Sequence, residues 1–201
     1  VAALEGGLSG HAFASGMSAI ATLMTLVKSG EHVVFSRNVY GGTYRFMTQV
    51  LSRYADIIMA RTFGHDIVVD LAKHSRVPVI NGLSDQLHPC QALADFFTLL
   101  ERRGRLDGAK LAYVGDGNNV CHALMLGAVK LGVAMSVAAP AGYQPNPLIL
   151  KSAVRDAHKE GTPPPVVTTD PLAAVRGADV AYTDVWTSMG QEVEYAERGK
   201  I

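Results

Sequence analysis

The segment KLAYVGDGNNVCHALMLGAVKLG, residues Lys110–Gly132, decides the fold class of this chain. It opens with an apolar run of strand length, Lys110–Gly115, and continues with the helix-length segment Asn118–Leu131, which ends at Gly132. A buried strand that leads directly into a helix is the repeating unit of parallel sheets covered by helices. Ligands bind to such sheets at the carboxyl ends of the strands, which is where the turn after Gly115 lies.

The alternation of strands and helices continues on both sides of this segment. The apolar, β-branched runs that we expect to form buried parallel strands are His32–Ser36, Asp56–Arg61, Val77–Ile80, Lys110–Gly115, Val133–Ala139, Val166–Thr169 and Asp179–Asp184. The amphipathic segments that we expect to form helices include one that ends at Gly30, and Gln91–Arg103, Asn118–Leu131 and Pro147–Glu160. Three consecutive prolines in Gly161–Pro165 predict a loop. The predicted fold class is α/β: a three-layer α/β/α, Rossmann-like domain with a mainly parallel sheet.

Composition and charge exclude several classes of function. The 201 residues carry 18 basic and 18 acidic side chains, so the net charge is zero and we expect no binding to nucleic acid or membranes. The longest apolar stretch, His122–Pro140, is interrupted by Lys130 and predicts a buried helix followed by a strand, not a membrane span. Two cysteines, Cys90 and Cys121, fit a reduced, cytoplasmic protein, and we expect no metal site.

The first fifty residues contain two turns that could bind an anion or a planar ring. Ser15, Gly16 and Met17 lie at the start of an amphipathic helix, where backbone N–H groups and the helix dipole attract anions. Tyr40 follows a predicted strand and could lie flat against an aromatic ligand. The alternative is that Ser15 only caps the helix and that the two glycines after Tyr40 only form a turn.

Three motifs in this region resemble the cystathionine gamma-synthase and lyase family of PLP enzymes, namely Ala3–Gly7, Phe13–Met17 and Val39–Arg45. The resemblance implies that the PLP phosphate is cradled by Ser15, Gly16 and Met17 and that the ring stacks on Tyr40. No lysine of the chain lies in a motif that matches the family's Schiff-base lysine, and PLP chemistry requires that imine. We therefore expect no cofactor, or PLP held only weakly by its phosphate end.

Polar residues mark further turns in the rest of the chain. His88 and Gln91 lie three residues apart at a helix start, so both can reach one small polar ligand. Asn119 follows a predicted strand, and Asp184 ends the last one, where it could pair with an ammonium group. The alternatives are an exposed histidine beside a capped helix and an aspartate that only caps a helix.

From about residue 50 to residue 201 the chain resembles the ornithine-binding domain of the ornithine carbamoyltransferase family. The matching motifs are Met59–Phe63, Val79–Asp85, His88–Gln91, Gly115–Asn119 and Asp184–Gly190. The resemblance implies that the carbamoyl group is contacted by Arg61, His88 and Gln91. It also implies that the amino-acid end of ornithine is held by Asn119, Asp184, Ser188 and Met189. These side chains suit their roles, because a cation stabilises charge on a carbonyl oxygen and a carboxylate pairs with an ammonium group.

Two resemblances in one chain predict a chimera, folded as a single α/β domain over residues 1–201 with a seam near residues 50–55. The S-x-R-T-R and H-C-L-P motifs of the carbamoyltransferases do not occur in the sequence. We therefore expect a recombined scaffold without efficient catalysis, which binds phosphate or ornithine-like amino acids weakly. The alternatives are an active ornithine carbamoyltransferase, which is a transferase, and a PLP- or phosphate-binding module. The sequence is compatible with a homo-oligomer.

Overall fold

The computed structural model describes residues 11–24, 26 and 55–185. Its coordinates divide into two compact units, the first formed by residues 1–59 and 69–80 and the second by residues 60–68 and 81–201. The predicted strand His32–Ser36 and residues 50–54 of the predicted seam lie outside the described residues.

Six helices and six strands are present in the described part of the chain. The helices are α1 (Gly16–Met24), α2 (His65–His74), α3 (Pro89–Arg103), α4 (Asn119–Leu131), α5 (Pro147–Glu160) and α6 (Pro171–Val175). The strands are β1 (Ile58–Arg61), β2 (Val79–Leu83), β3 (Lys110–Val114), β4 (Ala134–Ala138), β5 (Val166–Thr168) and β6 (Val180–Tyr182). Every strand predicted within the range 55–185 is present, with its ends shifted by up to three residues, whereas helices α2 and α6 were not predicted.

Strands β3 to β6 form a parallel sheet in the order β5-β4-β3-β6, within the second unit. The chain moves outward from β3 to β4 and β5 and then returns to place β6 on the other side of β3. Because parallel crossovers are right-handed, this reversal places α4 and α5 on one face of the sheet and α6 on the opposite face. Helix α4 packs on α5 and β4, whereas α6 packs on β3 and β4. The predicted α/β fold with a parallel sheet is confirmed.

Helix α4 begins and ends as predicted because both of its ends are encoded locally. The Asn118 side chain accepts hydrogen bonds from two backbone N–H groups of the first turn, and Gly132 ends the helix in the left-handed region with φ 71°. Between these caps, Cys121, Met125 and Ala128 are completely buried. Burying a side chain as large as Met125 contributes about 1.5–3 kcal/mol to folding, so α4 lies at the centre of the core.

Strands β1 and β2 form a separate two-stranded sheet. The N–H of Thr62, the residue after β1, donates to the carbonyl oxygen of Leu83, the last residue of β2, at 2.8 Å. This bond places Arg61 and Ser84 at the same end of the strand pair.

No helix in the described ranges is long and apolar enough to cross a membrane.

Candidate active site

An open cavity of about 1070 Å³ lies at the carboxyl ends of β3 and β6, within the second unit. Strand order reverses between these two strands, and α/β sheets bind ligands at such a point. The residues predicted from sequence that line this cavity are Arg61, His88, Gln91, Asn119 and Asp184. They come from four separate segments of the chain, and the fold brings them together.

The other predicted site residues are not part of this cavity as the structure describes it. Tyr40, Ser188 and Met189 lie outside the described residues. Ser15 precedes α1, and its hydroxyl oxygen accepts a hydrogen bond from the Ser18 N–H at 3.2 Å. Ser15 therefore caps the helix that Gly16 and Met17 begin, as in the simpler of the two interpretations of this segment.

Asn118 connects the two strand ends that form the cavity floor. Its Oδ1 accepts from the N–H groups of Val120 and Cys121 at 3.0 and 3.1 Å, and its Nδ2 donates to Oδ2 of Asp184 at 2.9 Å. The other carboxylate oxygen of Asp184 accepts from the Val185 N–H at 2.8 Å. One amide therefore caps α4 and also orients the carboxylate that follows β6.

Asn119 is held by the loop that follows β2. Its Nδ2 donates to the backbone oxygen of Ser84 at 2.8 Å, and its own backbone oxygen accepts from the His88 N–H at 3.3 Å. The Ser84 hydroxyl is completely buried and accepts from the side chain of Asn81 at 3.2 Å. Ser84 therefore fixes the position of Asn119 relative to His88.

The surroundings of His88 favour its neutral form. Burial lowers its pKa and the nearby Arg61 cation lowers the pKa further, whereas Asp184 and Asp95 raise it. Its Nδ1 is buried and has no hydrogen-bond partner among the described residues. A neutral imidazole carries one N–H and one acceptor nitrogen, so His88 can donate one hydrogen bond to a ligand.

The loop of residues 140–146 forms another wall of the cavity, and His122 holds it. Nδ1 of His122 lies 3.0 Å from the backbone oxygen of Gln86, and its Nε2 accepts from the Asn146 N–H at 2.9 Å. These partners require the tautomer with its proton on Nδ1. Burial lowers the pKa of His122, which favours this neutral form.

Gly117 allows the same loop to approach the turn after β3. Its N–H donates to the backbone oxygen of Tyr143 at 2.7 Å, and a Cβ at this position would overlap the backbone of Gln144 and Pro145. Only glycine fits against that backbone without displacing it.

Several residues of this arrangement are not marked as site residues by the sequence. Asn118, His122, Asp95 and Tyr182 were not predicted as site residues, although Asn118 occupies a helix-capping position that the sequence marks. Asp95 stands four residues after Gln91 on α3, a spacing that places both on one helix face. No local sequence pattern marks Tyr182 as a site residue, because only the strand order brings β6 beside β3.

The cavity combines two chemically different ends. Arg61, His88 and Gln91 supply a cation, a neutral imidazole and an amide, which suit a small group with a carbonyl oxygen and an NH2. Asp184 supplies an oriented carboxylate that suits an ammonium group, and Asn119 supplies an amide that suits a carboxylate.

Two family models match the chain, and together they span residues 11–201 apart from a short gap. The carbamoyl-P binding domain of aspartate/ornithine carbamoyltransferase matches residues 11–101, and the Asp/Orn binding domain of the same enzymes matches residues 107–201.

Relatives and solved structures point to the same enzymes. The ornithine carbamoyltransferase of Thermococcus kodakarensis is 56% identical over 161 residues, covering 80% of this chain and 51% of that protein. The one from Anoxybacillus flavithermus is 54% identical over 178 residues, covering 86% of this chain and 56% of that protein. The structure of ornithine carbamoyltransferase from Pyrococcus furiosus superposes with a TM-score of 0.75 at 51% identity, covering 83% of this chain and 53% of that one.

These matches show that the predicted chimera is wrong. The carbamoyl-P binding domain matches from residue 11, so it includes most of the segment that we assigned to a PLP enzyme and the seam that we placed near residues 50–55. Neither family model corresponds to a PLP enzyme. The interpretation as a recombined scaffold rested on that seam and on the two missing motifs, and the matches to a single enzyme family overturn it. The short motifs misled because small residues at a helix start suit any anion.

The resemblance to carbamoyltransferases from residue 50 onward is confirmed, and it extends further toward the N-terminus than predicted. The match to the Asp/Orn binding domain begins only at residue 107, whereas residues 11–101 match the carbamoyl-P binding domain. The chain spans about half the length of the relatives it matches. By sequence and by fold, the chain is a homologue of the ornithine carbamoyltransferases.

Proposed function

We propose that this chain functions in carbamoyl transfer to ornithine and that the cavity between β3 and β6 is where both substrates meet. The observation that carries the proposal is the pairing of Asn118 with Asp184 at 2.9 Å, in the same cavity as Arg61 and His88. This arrangement offers an oriented carboxylate for an amino-acid ammonium group and, beside it, donors for a carbonyl oxygen.

In this proposal the carbamoyl group lies against the side chains on β1 and at the start of α3. The Arg61 guanidinium and the single N–H of neutral His88 stabilise the negative charge that grows on the carbonyl oxygen during transfer. Gln91 accepts a hydrogen bond from the carbamoyl NH2. Because His88 is neutral, it acts as a hydrogen-bond donor and adds no second positive charge beside Arg61.

Ornithine lies across the carboxyl ends of β3 and β6. Asp184 binds its α-ammonium group and Asn119 its carboxylate, and we place Ser188 and Met189 with this end of the substrate. The uncharged δ-amino nitrogen then attacks the carbamoyl carbon and forms the new C–N bond. The bond from that carbon to the phosphate oxygen breaks with its electron pair leaving on phosphate, and the proton that the attacking nitrogen loses passes to the leaving phosphate. Holding two reactants in this geometry can supply several kcal/mol of the barrier reduction.

The assay for this proposal is citrulline formation by the full chain from carbamoyl phosphate and ornithine. We expect citrulline in proportion to protein concentration and a loss of about 10- to 150-fold in kcat/KM for Asp184→Asn, since removing one charged contact costs about 1.5–3 kcal/mol. Asp70→Asn is the matched control, because Asp70 is an exposed carboxylate on α2 outside the cavity lining, and its activity should equal that of the parent chain. Citrulline formation that is absent, or unaffected by Asp184→Asn, would contradict the proposal.

A further inference from the structure

Gln91 does not point freely into the cavity, because Asp95 holds one end of its amide. The two residues lie one turn apart on α3, and Nε2 of Gln91 donates to Oδ1 of Asp95 at 3.1 Å. Gln91 lines the cavity and is exposed, whereas Asp95 is half-buried behind it. Asp95 therefore supports a cavity residue without itself lining the cavity.

The charge of Asp95 decides which end of the Gln91 amide faces the ligand. An amide presents an acceptor oxygen at one end and two donor hydrogens at the other, and its two orientations have nearly the same shape. An ionised carboxylate only accepts hydrogen bonds, so it can bind the NH2 end of Gln91 and not the oxygen end. Oε1 of Gln91 is then the atom left to meet a ligand.

Tyr182, at the end of β6, adds a second constraint on the same amide. Burial raises the pKa of the Tyr182 hydroxyl, and the charge of Asp95, a hydrogen bond to Asp95 and the charge of Asp184 raise it further. A hydrogen bond with Gln91 lowers it. A hydrogen bond that lowers the pKa of a phenol is one in which the partner donates to the phenol oxygen. A Gln91 amide whose NH2 end faces Asp95 and Tyr182 accounts for this direction.

We propose that Asp95 is a positioning residue that makes the cavity selective for a carbamoyl group over other acyl groups. By holding the Gln91 oxygen toward the cavity, Asp95 provides an acceptor that a ligand NH2 satisfies and that a methyl group leaves unpaired. This inference rests on the proposed function, since it assumes that the cavity binds the carbamoyl end of carbamoyl phosphate. It assigns the choice between NH2 and CH3 to a residue that does not touch the ligand.

Acetyl phosphate is the probe that isolates this choice, because it carries a methyl group where carbamoyl phosphate carries NH2. Leaving the Gln91 acceptor unpaired beside a methyl group weakens binding, but by less than at a fully buried site, because Gln91 is exposed. The parent chain should therefore bind carbamoyl phosphate about 10- to 30-fold more tightly than acetyl phosphate. In Asp95→Asn the new side-chain amide can either donate or accept a hydrogen bond. The Gln91 amide can then flip and present its NH2 end to the cavity. The ratio of the two dissociation constants should then fall by about tenfold.

The measurement is the titration of both compounds into the full chain, followed by backbone amide resonances of His88 and Asn119. Glu101→Gln is the matched control, because Glu101 is an exposed carboxylate further along α3. The ratio of the two dissociation constants in this variant should equal the ratio in the parent chain. If both compounds bind and Asp95→Asn keeps the parent ratio, the role of Asp95 is wrong and the proposed function stands. If carbamoyl phosphate does not bind the parent chain, the proposed function fails first.

A second measurement keeps the inference testable if Asp95→Asn does not fold. In the parent chain, the hydrogen bond from Gln91 to Asp95 should give a measurable scalar coupling between Nε2 of Gln91 and the carboxylate carbon of Asp95. The coupling should persist when carbamoyl phosphate is bound. Its absence in the ligand-bound chain would overturn the inference, because Gln91 would then be oriented by something else.

Discussion

Replacing Asn118 should affect both the stability of the fold and the binding of ornithine. Asn118→Ala removes the cap of α4, which is worth about 1 kcal/mol. It also removes the donor to Asp184, a hydrogen bond to a charged group that is worth about 1.5–3 kcal/mol when buried and less at this partly exposed position. The free energy of unfolding should therefore fall by about 2–3 kcal/mol, the sum of the cap and a discounted hydrogen bond.

Asn118→Ser separates these two contributions. A serine keeps the capping oxygen but is too short to reach Asp184, so it should lose only the part that belongs to the carboxylate. The measurement is urea unfolding of the parent chain and both variants, followed by circular dichroism at 222 nm. The slope of the unfolding free energy against urea concentration should be the same in all three proteins. The two variants should differ by about 1 kcal/mol. An Asn118→Ala variant within about 0.5 kcal/mol of the parent, the usual range for neutral surface changes, would refute the assignment of both roles.

Three further predictions concern the residues around the cavity. Burial lowers the pKa of His122, so this histidine takes up its proton at higher pH in the unfolded chain than in the native chain. The free energy of unfolding should therefore fall as pH drops below about 6.5. His122→Gln should show a weaker fall between pH 7.5 and pH 5.5 in urea unfolding, and an equal fall would contradict the role of His122. Gly117→Ala should destabilise by about 1–3 kcal/mol in the same assay, because its Cβ overlaps the backbone of Pro145, whereas an unchanged midpoint would show that the loop can move away. Burial raises the pKa of the Cys121 thiol, so Cys121 should resist alkylation in the native chain while half-buried Cys90 reacts, as mass spectrometry of the labelled peptides can show.

The features that could be predicted from sequence are those with local causes. Helix α4 was placed within one residue because its start at Asn118 and its end at Gly132 are marked by a capping amide and a glycine. Helix α2 was missed because Ile67, Val68 and Val69 give it the β-branched character of a strand. Helix α6, Pro171–Val175, is too short to show helical periodicity.

The contacts that build the site could not be predicted from local sequence. Asn118 and Asp184 are 66 positions apart, and they meet only because β6 pairs with β3 and not with β5. The tautomer of His122 likewise depends on Gln86 and Asn146, which come from two different loops. Residues such as Arg61 and His88 were identified through a family resemblance, since composition and spacing alone left simpler interpretations open.

The most direct test of the ornithine site is a titration of the full, 15N-labelled chain with L-ornithine. We predict saturable shifts of the backbone amides of Asn119 and Val185, because these groups adjoin the carboxylate that binds the ammonium group. Asp184→Asn should abolish the shifts, whereas Asp70→Asn should leave them unchanged. Amides of the cavity that stay unmoved, or shifts that survive in Asp184→Asn, would contradict the assignment of this cavity to ornithine.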